Sequence, residues 1–394
     1  MLVASLVLPR QRTTTTLAIL TTAAAFAVAN LYYAQPLAET MARDLHTNAG
    51  GLSSALVGTQ LGYALGMLLL VPLGDIRERR GIIVATTLGG ALALLAFAMA
   101  PTVELLTVAS VLVGVGASVV QMILPFAIGL APPEQRGRIV GTVMGGVLAG
   151  ILLSRTLSGL LGAQVGWRPV FVAAAGVMAA LAATLRIVLP PAPPTTTLSY
   201  GRLLASLGGI LRREPVLRRH ALVGALGFAS FSVFWSTIAF HLAASPIGGG
   251  SQLAGMLGVL GLTGVVVAPI AGRLAMRVRP TSLNLAGLGI VVAAFALFAA
   301  LGDSLVAIGL GVVLLDAGVQ ASHLTNQTTI FGLAPDERSR VNAIYMVAYF
   351  LGGGLGTAVA GQAWQRGGWP AVCVAGGAFA ALAMLRIAPG LRRN

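Results

Sequence analysis

Four polar side chains, Asp316, Gln320, His323 and Gln327, interrupt the otherwise apolar stretch 304–331. On a helix turning by about 100° per residue, positions i, i+4, i+7 and i+11 fall within roughly 60° of one another. They form one polar stripe that includes two groups able to take up and release protons. Asp316 stands about twelve residues into its helix, roughly 18 Å deep at 1.5 Å per residue. A carboxyl at such a depth in hydrocarbon is costly unless it is paired or faces water, and it marks a substrate or ion pathway. The other buried charge is Arg155, with Ser154, Thr156 and Ser158 beside it. A guanidinium keeps its proton, so it needs a carboxylate, a set of carbonyl oxygens or an anionic substrate. Asp316 and Arg155 are therefore the expected proton-coupling pair, with His323 as a relay. A structural polar pair locking the helix to a neighbour is the other reading.

Further polar and aromatic residues recur inside apolar stretches: Asn30 and Tyr33, Gln60 and Tyr63, Gln121, and Asn342, Tyr345 and Tyr349 at i, i+3 and i+7. With Gln320 and Gln327 they are expected to line a substrate cavity. Phe228, Phe231 and Trp235 form a stripe that could stack on an aromatic ligand. Packing between helices is the alternative for each of them. Trp167, Trp364 and Trp369 are expected as interfacial anchors, and Glu39, Asp44, Glu104 and Asp303 as solvated helix ends.

The elements that position these residues follow from composition. The chain has 394 residues, of which 57% are hydrophobic and 9% charged, with mean hydropathy +0.90. Soluble domains carry about 25% charged residues, so a soluble globule is excluded. The net charge is +14, all of the 25 basic residues are arginine, and they lie in short clusters between long apolar runs. That pattern belongs to an inner-membrane protein rather than to a nucleic-acid binder. One cysteine, Cys373, excludes an intramolecular disulfide framework and a cysteine metal cluster. Neither a metal nor a cofactor is expected, and there is no Walker loop, HExxH or paired ligand spacing to suggest an enzyme.

A crossing helix needs about 20 apolar residues. Punctuation by charge, Pro and Gly gives twelve: 15–36, 50–73, 82–100, 103–130, 139–162, 169–189, 220–243, 252–273, 282–301, 304–331, 341–364 and 369–388. The fold class is thus an all-α polytopic membrane protein. The N-terminal stretch is too short before Pro9, Arg10 and Arg12 for a cleavable signal peptide. With both termini inside, only Arg43, Arg168 and Arg366 fall in outer loops, which fits the positive-inside rule. Pro190, Pro191, Pro193 and Pro194 end the sixth span, and 200–219 reads as an interfacial helix with Leu203, Leu207, Ile210 and Leu211 on one face. The organisation is a bundle at 1–189, a cytoplasmic linker at 190–219 and a bundle at 220–394.

The halves repeat. At an offset of 202 residues, Pro133-Glu134-Gln135-Arg136-Gly137-Arg138 faces Pro335-Asp336-Glu337-Arg338-Ser339-Arg340, and Gly150, Gly159 and Gly166-Trp167 face Gly352, Gly361 and Gly368-Trp369. Two parallel six-span halves around a midplane site are a transporter architecture.

On these residues the chain resembles the major facilitator superfamily, in particular its twelve-span bacterial drug/proton antiporter branch. Leu73-Gly74-Asp75-Ile76-Arg77-Glu78-Arg79-Arg80 resembles the family's loop between spans 2 and 3, with Val71 and Glu78 in place of its two glycines. Gly272-Arg273-Leu274-Ala275-Met276-Arg277 is the second-half counterpart without the aspartate. Asn30-Leu31-Tyr32-Tyr33-Ala34-Gln35-Pro36-Leu37, Gly150-Ile151-Leu152-Leu153-Ser154-Arg155 and Asp316-Ala317-Gly318-Val319-Gln320 resemble other bacterial members. The branch's span-4 arginine is Ser110 here, and its span-5 Gly-Pro is Gly150-Ile151. The resemblance implies a gating role for Asp75, Arg79 and Arg80, and a similar role for the 133–138 and 335–340 loops. It also implies proton-coupled efflux of a small organic molecule by a monomer in the inner membrane. A facilitator or symporter importing a metabolite is one alternative, and a transport-inactive sensor or scaffold is another.

Overall fold

The computed structural model describes residues 10–194, 199–261, 263, 267, 278–333 and 337–388. The loop Gly272–Arg277, the inner half of the eighth expected span, and Pro335 and Asp336 lie outside the described residues. The helices are α1 (Arg10–Ala29), α2 (Ala34–Asp44), α3 (Ala49–Ile76), α4 (Arg79–Met99), α5 (Val103–Ala117), α6 (Val120–Gly129), α7 (Arg136–Val165), α8 (Trp167–Val188), α9 (Tyr200–Arg213), α10 (Pro215–Ala244), α11 (Gly250–Leu257), α12 (Pro280–Leu301), α13 (Leu305–Phe331) and α14 (Arg338–Ile387). A 3₁₀ turn, Gly258–Gly261, follows α11.

Among the described residues, nine helices are long and apolar enough to cross a membrane, and α1 with α2 makes a tenth crossing bent by 42°. The 50-residue α14 is two helices meeting at Gly367 and Gly368, where the backbone leaves helical geometry. α11 and its 3₁₀ turn cover the first half of the eighth expected span, whose remainder lies almost entirely outside the described residues. The first expected span therefore differs from the reading above: it breaks at 30–33 and runs on to Asp44. The fourth breaks at Ser118 and Val119, between α5 and α6.

The two halves share their close contacts. A methyl placed on Gly150 of α7 would meet the Ala25 carbonyl oxygen of α1 at 2.2 Å, and one on Gly352 of α14 would meet the Ala225 carbonyl oxygen of α10 at 2.1 Å. Gly159 lies against the Ser251 carbonyl of α11 at 2.6 Å, and Gly361 against the Ser53 hydroxyl of α3 at 2.7 Å. Small residues at these points let backbones approach where lipid supplies no hydrophobic drive for association. Gly166 and Gly368, with φ of 82° and 58°, turn the chain into the next helix, a conformation that glycine adopts without penalty. Each is followed by a buried tryptophan. Trp167 donates to the Asp44 carboxylate at 3.0 Å and Trp369 to the Phe298 carbonyl at 3.0 Å. Both indoles are thus interior struts rather than interfacial anchors. Asp44, the last residue of α2, also pairs with Arg168.

Contacts between the halves gather at the face bearing the 45–48 and 245–249 loops, here the far face. Thr40 and Ser251 share a 2.8 Å hydroxyl hydrogen bond, and Gln365 donates to Asn48. Toward the opposite face α3, α9, α10 and α14 surround an opening. There a pocket of about 620 Å³ opens, lined by Leu68 of α3, Leu207 and Leu211 of α9, Leu222 of α10, and Val347 and Leu351 of α14. Helix α9 buries Leu203, Leu207 and Ile210. It stops at Glu214 because Pro215, whose fixed φ suits a first helical position, opens α10. Arg218 and Arg219 consequently belong to α10, not to the linker helix.

Candidate functional site

The turn between α1 and α2 carries the first part of the site. Because the chain pivots at 30–33, Tyr32 and Gln35 face the other half, whereas Tyr33 turns toward α8. Tyr33 meets Phe171 edge-on at 6.2 Å, within a cluster that includes Phe97 and Trp167. It stands apart from the other site residues.

Arg155, from α7, is 2% exposed. Its Nε donates to the Gln35 side-chain oxygen at 2.9 Å. The guanidinium lies 4.7 Å from the Tyr32 ring centroid, 5.3 Å from that of Phe231 and 4.1 Å from that of Trp235. Such faces attract a desolvated cation with about 2 kcal/mol or more. One nitrogen, Nη2, has no hydrogen-bond partner. Phe231 and Trp235 belong to α10 and Tyr32 and Arg155 to the first half, so the cage spans the two halves.

Asp316 of α13 is 7% exposed, and its Oδ1 has no hydrogen-bond partner. Its charge and that of Arg155 interact. No nitrogen of Arg155 comes within the 4.0 Å of an ion pair, however, so the expected direct pair is not formed. One 3₁₀ turn touches both residues: Gly258 backs onto Cβ of Arg155, 2.8 Å from an added methyl, and Gly261 faces Oδ2 of Asp316 at 3.0 Å. The indole N–H of Trp235, 1% exposed, is directed at the Asp316 carboxylate.

The rest of the stripe on α13 faces α14. His323 Nδ1 lies 3.0 Å from the Tyr345 hydroxyl, and its ring is 4.6 Å from that of Tyr349. Gln327 donates to Asn342 at 3.3 Å. Gln320 is half-buried. Tyr349 stacks on Phe228 at 4.1 Å and Phe228 on Phe231 at 5.6 Å, a ring wall that runs to the Arg155 cage. In the first half, Gln121 donates to the Tyr63 hydroxyl at 3.0 Å, and the Tyr63 ring sits 4.2 Å from Phe350 across the seam. Asn30 and Gln60 are buried with their side-chain oxygens unpartnered. The loop residues lie elsewhere: Arg79 pairs with Asp75 and donates to the Gly74 carbonyl, and Arg80 donates to the Arg186 carbonyl at the end of α8.

Tyr32 and Gln35 escaped the sequence reading because a straight helix through 15–36 puts Asn30 and Tyr33 on the polar face. Pro36 and the paired tyrosines were the only local sign of a break. A second polar face of α13 also escaped. Ser322 donates to Asn284 at 2.6 Å, Asn284 donates to Asn326 at 3.1 Å, and His220 lies 2.7 Å from Asn326, tying α10, α12 and α13 together.

Comparisons with known proteins give the family and the fold. The model of the family described as Major Facilitator Superfamily matches residues 17–357. An uncharacterized transporter of Escherichia coli O157:H7, YgaY, is 39% identical over 363 residues, covering 92% of each chain. A probable transporter of Streptomyces coelicolor is 32% identical, covering 91% of this chain and 83% of its own. Among solved structures, a bacterial homologue of the human lysosomal transporter Spinster, inward-facing and unoccupied, superposes with a TM-score of 0.76. It is 17% identical, over 96% of this chain and 95% of that one, a likeness of fold alone.

Proposed function

This chain belongs to the major facilitator superfamily and is a multi-pass membrane transporter rather than an enzyme, and from that premise we propose that it exports a small organic molecule in exchange for protons. One observation carries the proposal: Arg155 and Asp316 are opposite buried charges, contributed by opposite halves, that act on each other without closing a direct ion pair. Buried charges left in that state cost several kcal/mol unless something compensates them. A substrate and a proton are the available compensators.

In this reading the halves 1–189 and 220–394 rock about the site, tethered by 190–219, and one chain suffices. The termini are cytoplasmic and the far face is extracytoplasmic, so the described conformation is sealed outward. Asp316 carries the proton. Desolvation disfavours its charged form and the Arg155 cation favours it, and alternating access changes the balance. His323, hydrogen-bonded to Tyr345, relays along α13. Asp75, Arg79 and Arg80 form the cytoplasmic latch, anchored to α8 through Arg186.

The test is Asp316→Asn in proteoliposomes, using any compound that stabilises the purified protein. Gradient-driven accumulation is expected to vanish at every substrate concentration, while exchange of labelled for unlabelled compound persists at saturating concentration. Accumulation with the wild-type pH dependence in the variant would overturn the assignment.

A second reading is favoured by the free Nη2 of Arg155. An anion bound there would leave Asp316 in need of a proton, and the two would then travel together as a symport. The sign of the pH gradient that drives accumulation separates the two.

A further inference from the structure

Two buried polar atoms without partners converge on one place: Nη2 of Arg155 and Oδ1 of Asp316. One is a donor and the other an acceptor. Both side chains are at least nine-tenths buried. A buried donor or acceptor left unpaired costs about 1–3 kcal/mol, more when it is charged, so the set describes what is absent from it. It lacks an anion beside Arg155, and a cation or a strong donor beside Asp316.

A ligand with a single charge meets only part of that demand. An anion satisfies Arg155 and leaves Asp316 buried and uncompensated. A cation does the reverse. Only a ligand with both charges, held a short distance apart, satisfies both ends without changing the net charge of the site. The Gly258–Gly261 turn touches both ends: glycine at 261 leaves room beside Oδ2, and glycine at 258 brings the turn against Cβ of Arg155. The ring wall of Phe231, Phe228 and Tyr349 continues from the cage and gives the ligand an apolar surface to lie on.

We propose that the substrate is a small amino-acid-like zwitterion, its carboxylate on Arg155 Nη2, its ammonium on Asp316, and its apolar or aromatic body on the Phe228–Tyr349 wall. The proposal rests on the transport reading above and deepens it. Protonation of Asp316 removes the ammonium's counter-charge, so proton and substrate compete for one carboxylate, which is the requirement for antiport. The groups facing Asp316 are Arg155 from α7, Trp235 from α10 and Tyr349 from α14, with Tyr32 of the α1–α2 turn behind the guanidinium. His323, two turns along α13, is engaged with Tyr345. Arg155 keeps its charge throughout the working range, which leaves Asp316 to respond.

The experiment compares matched probes on the purified full-length protein in detergent. Phenylalanine, tryptophan and leucine are each titrated beside one-charge partners, 3-phenylpropanoate and phenethylamine among them, and read by melting temperature and quenching of tryptophan fluorescence. At least one zwitterion is expected to bind about 10- to 100-fold more tightly than either of its one-charge partners, the value of one hydrogen bond to a charged group. Its affinity should fall between pH 7.5 and 5.5, a range in which its own charges are constant. Arg155→Gln should shift the preference toward phenethylamine and Asp316→Asn toward 3-phenylpropanoate, a reversal that a packing role would not produce. The wild-type comparison decides even if a variant fails to fold. Equal binding of a one-charge partner, or no binding by any zwitterion, overturns the inference. Neither outcome touches the proton-coupling role of Asp316, which fails only if the Asp316→Asn proteoliposomes still accumulate substrate.

Discussion

Gln35 accepts a 2.9 Å hydrogen bond from Nε of Arg155, 120 residues away, and so fixes which edge of the guanidinium is left for a ligand. The bond ties α2 to α7 and holds the guanidinium in place. Gln35→Leu keeps the volume and removes the acceptor. Transport affinity is expected to fall about tenfold, near the 1.4 kcal/mol of a typical bond to a charged group, with maximal rate little changed. An unchanged KM in proteoliposome uptake would show that Gln35 does not orient the arginine.

Gly159 and Gly255 bring α7 and α11 into backbone contact at the far face: a methyl on Gly159 would meet Ser251 O at 2.6 Å and Cα of Gly255 at 2.7 Å. Gly159→Leu should wedge the halves apart and raise the outward-open population. With Cys373→Ser as background, a cysteine at Asn48 is expected to react several-fold faster with an impermeant maleimide when Gly159→Leu is present. An identical rate would mean that this seam does not gate the far face.

Gly261 faces Oδ2 of Asp316 closely enough that an added methyl would stand 3.0 Å from it. A flexible carboxylate can yield by a few tenths of an ångström, so Gly261→Ala should lower transport modestly. Gly261→Val should abolish it while melting temperature and expression stay near wild type. Normal uptake by the valine variant would place the ligand away from this turn.

The clustering of arginine on the face that carries the linker motivates cytoplasmic termini. Ser199 and His46 are exposed on opposite faces. In intact cells, with Cys373→Ser, a cysteine at His46 should be labelled by an impermeant reagent and one at Ser199 protected. Labelling at Ser199 alone would reverse the orientation.

Which stretches are helical and apolar was decided by local chemistry. Runs of about 20 apolar residues have to satisfy their backbone groups internally in lipid, so most of the apolar segments and the breaks at Gly166-Trp167 and Gly368-Trp369 could be read from the chain itself, whereas the helix start at Pro215 was hidden inside 200–219 read as one helix. The repeat was legible for the same reason, since both halves place small residues at equivalent points such as Gly150 and Gly352. The partner of Arg155 was a matter for tertiary structure. A helical wheel supplies the stripe from Asp316 to Gln327, but neither the rotation of one helix against another nor the kink at 30–33 that exchanges Tyr33 for Tyr32 and brings in Gln35. Arg155 and Asp316 are both touched by the glycine turn that follows α11, distant from both in sequence. Contacts between segments this far apart depend on how the helices are packed, and the periodicity of any one helix carries no record of it.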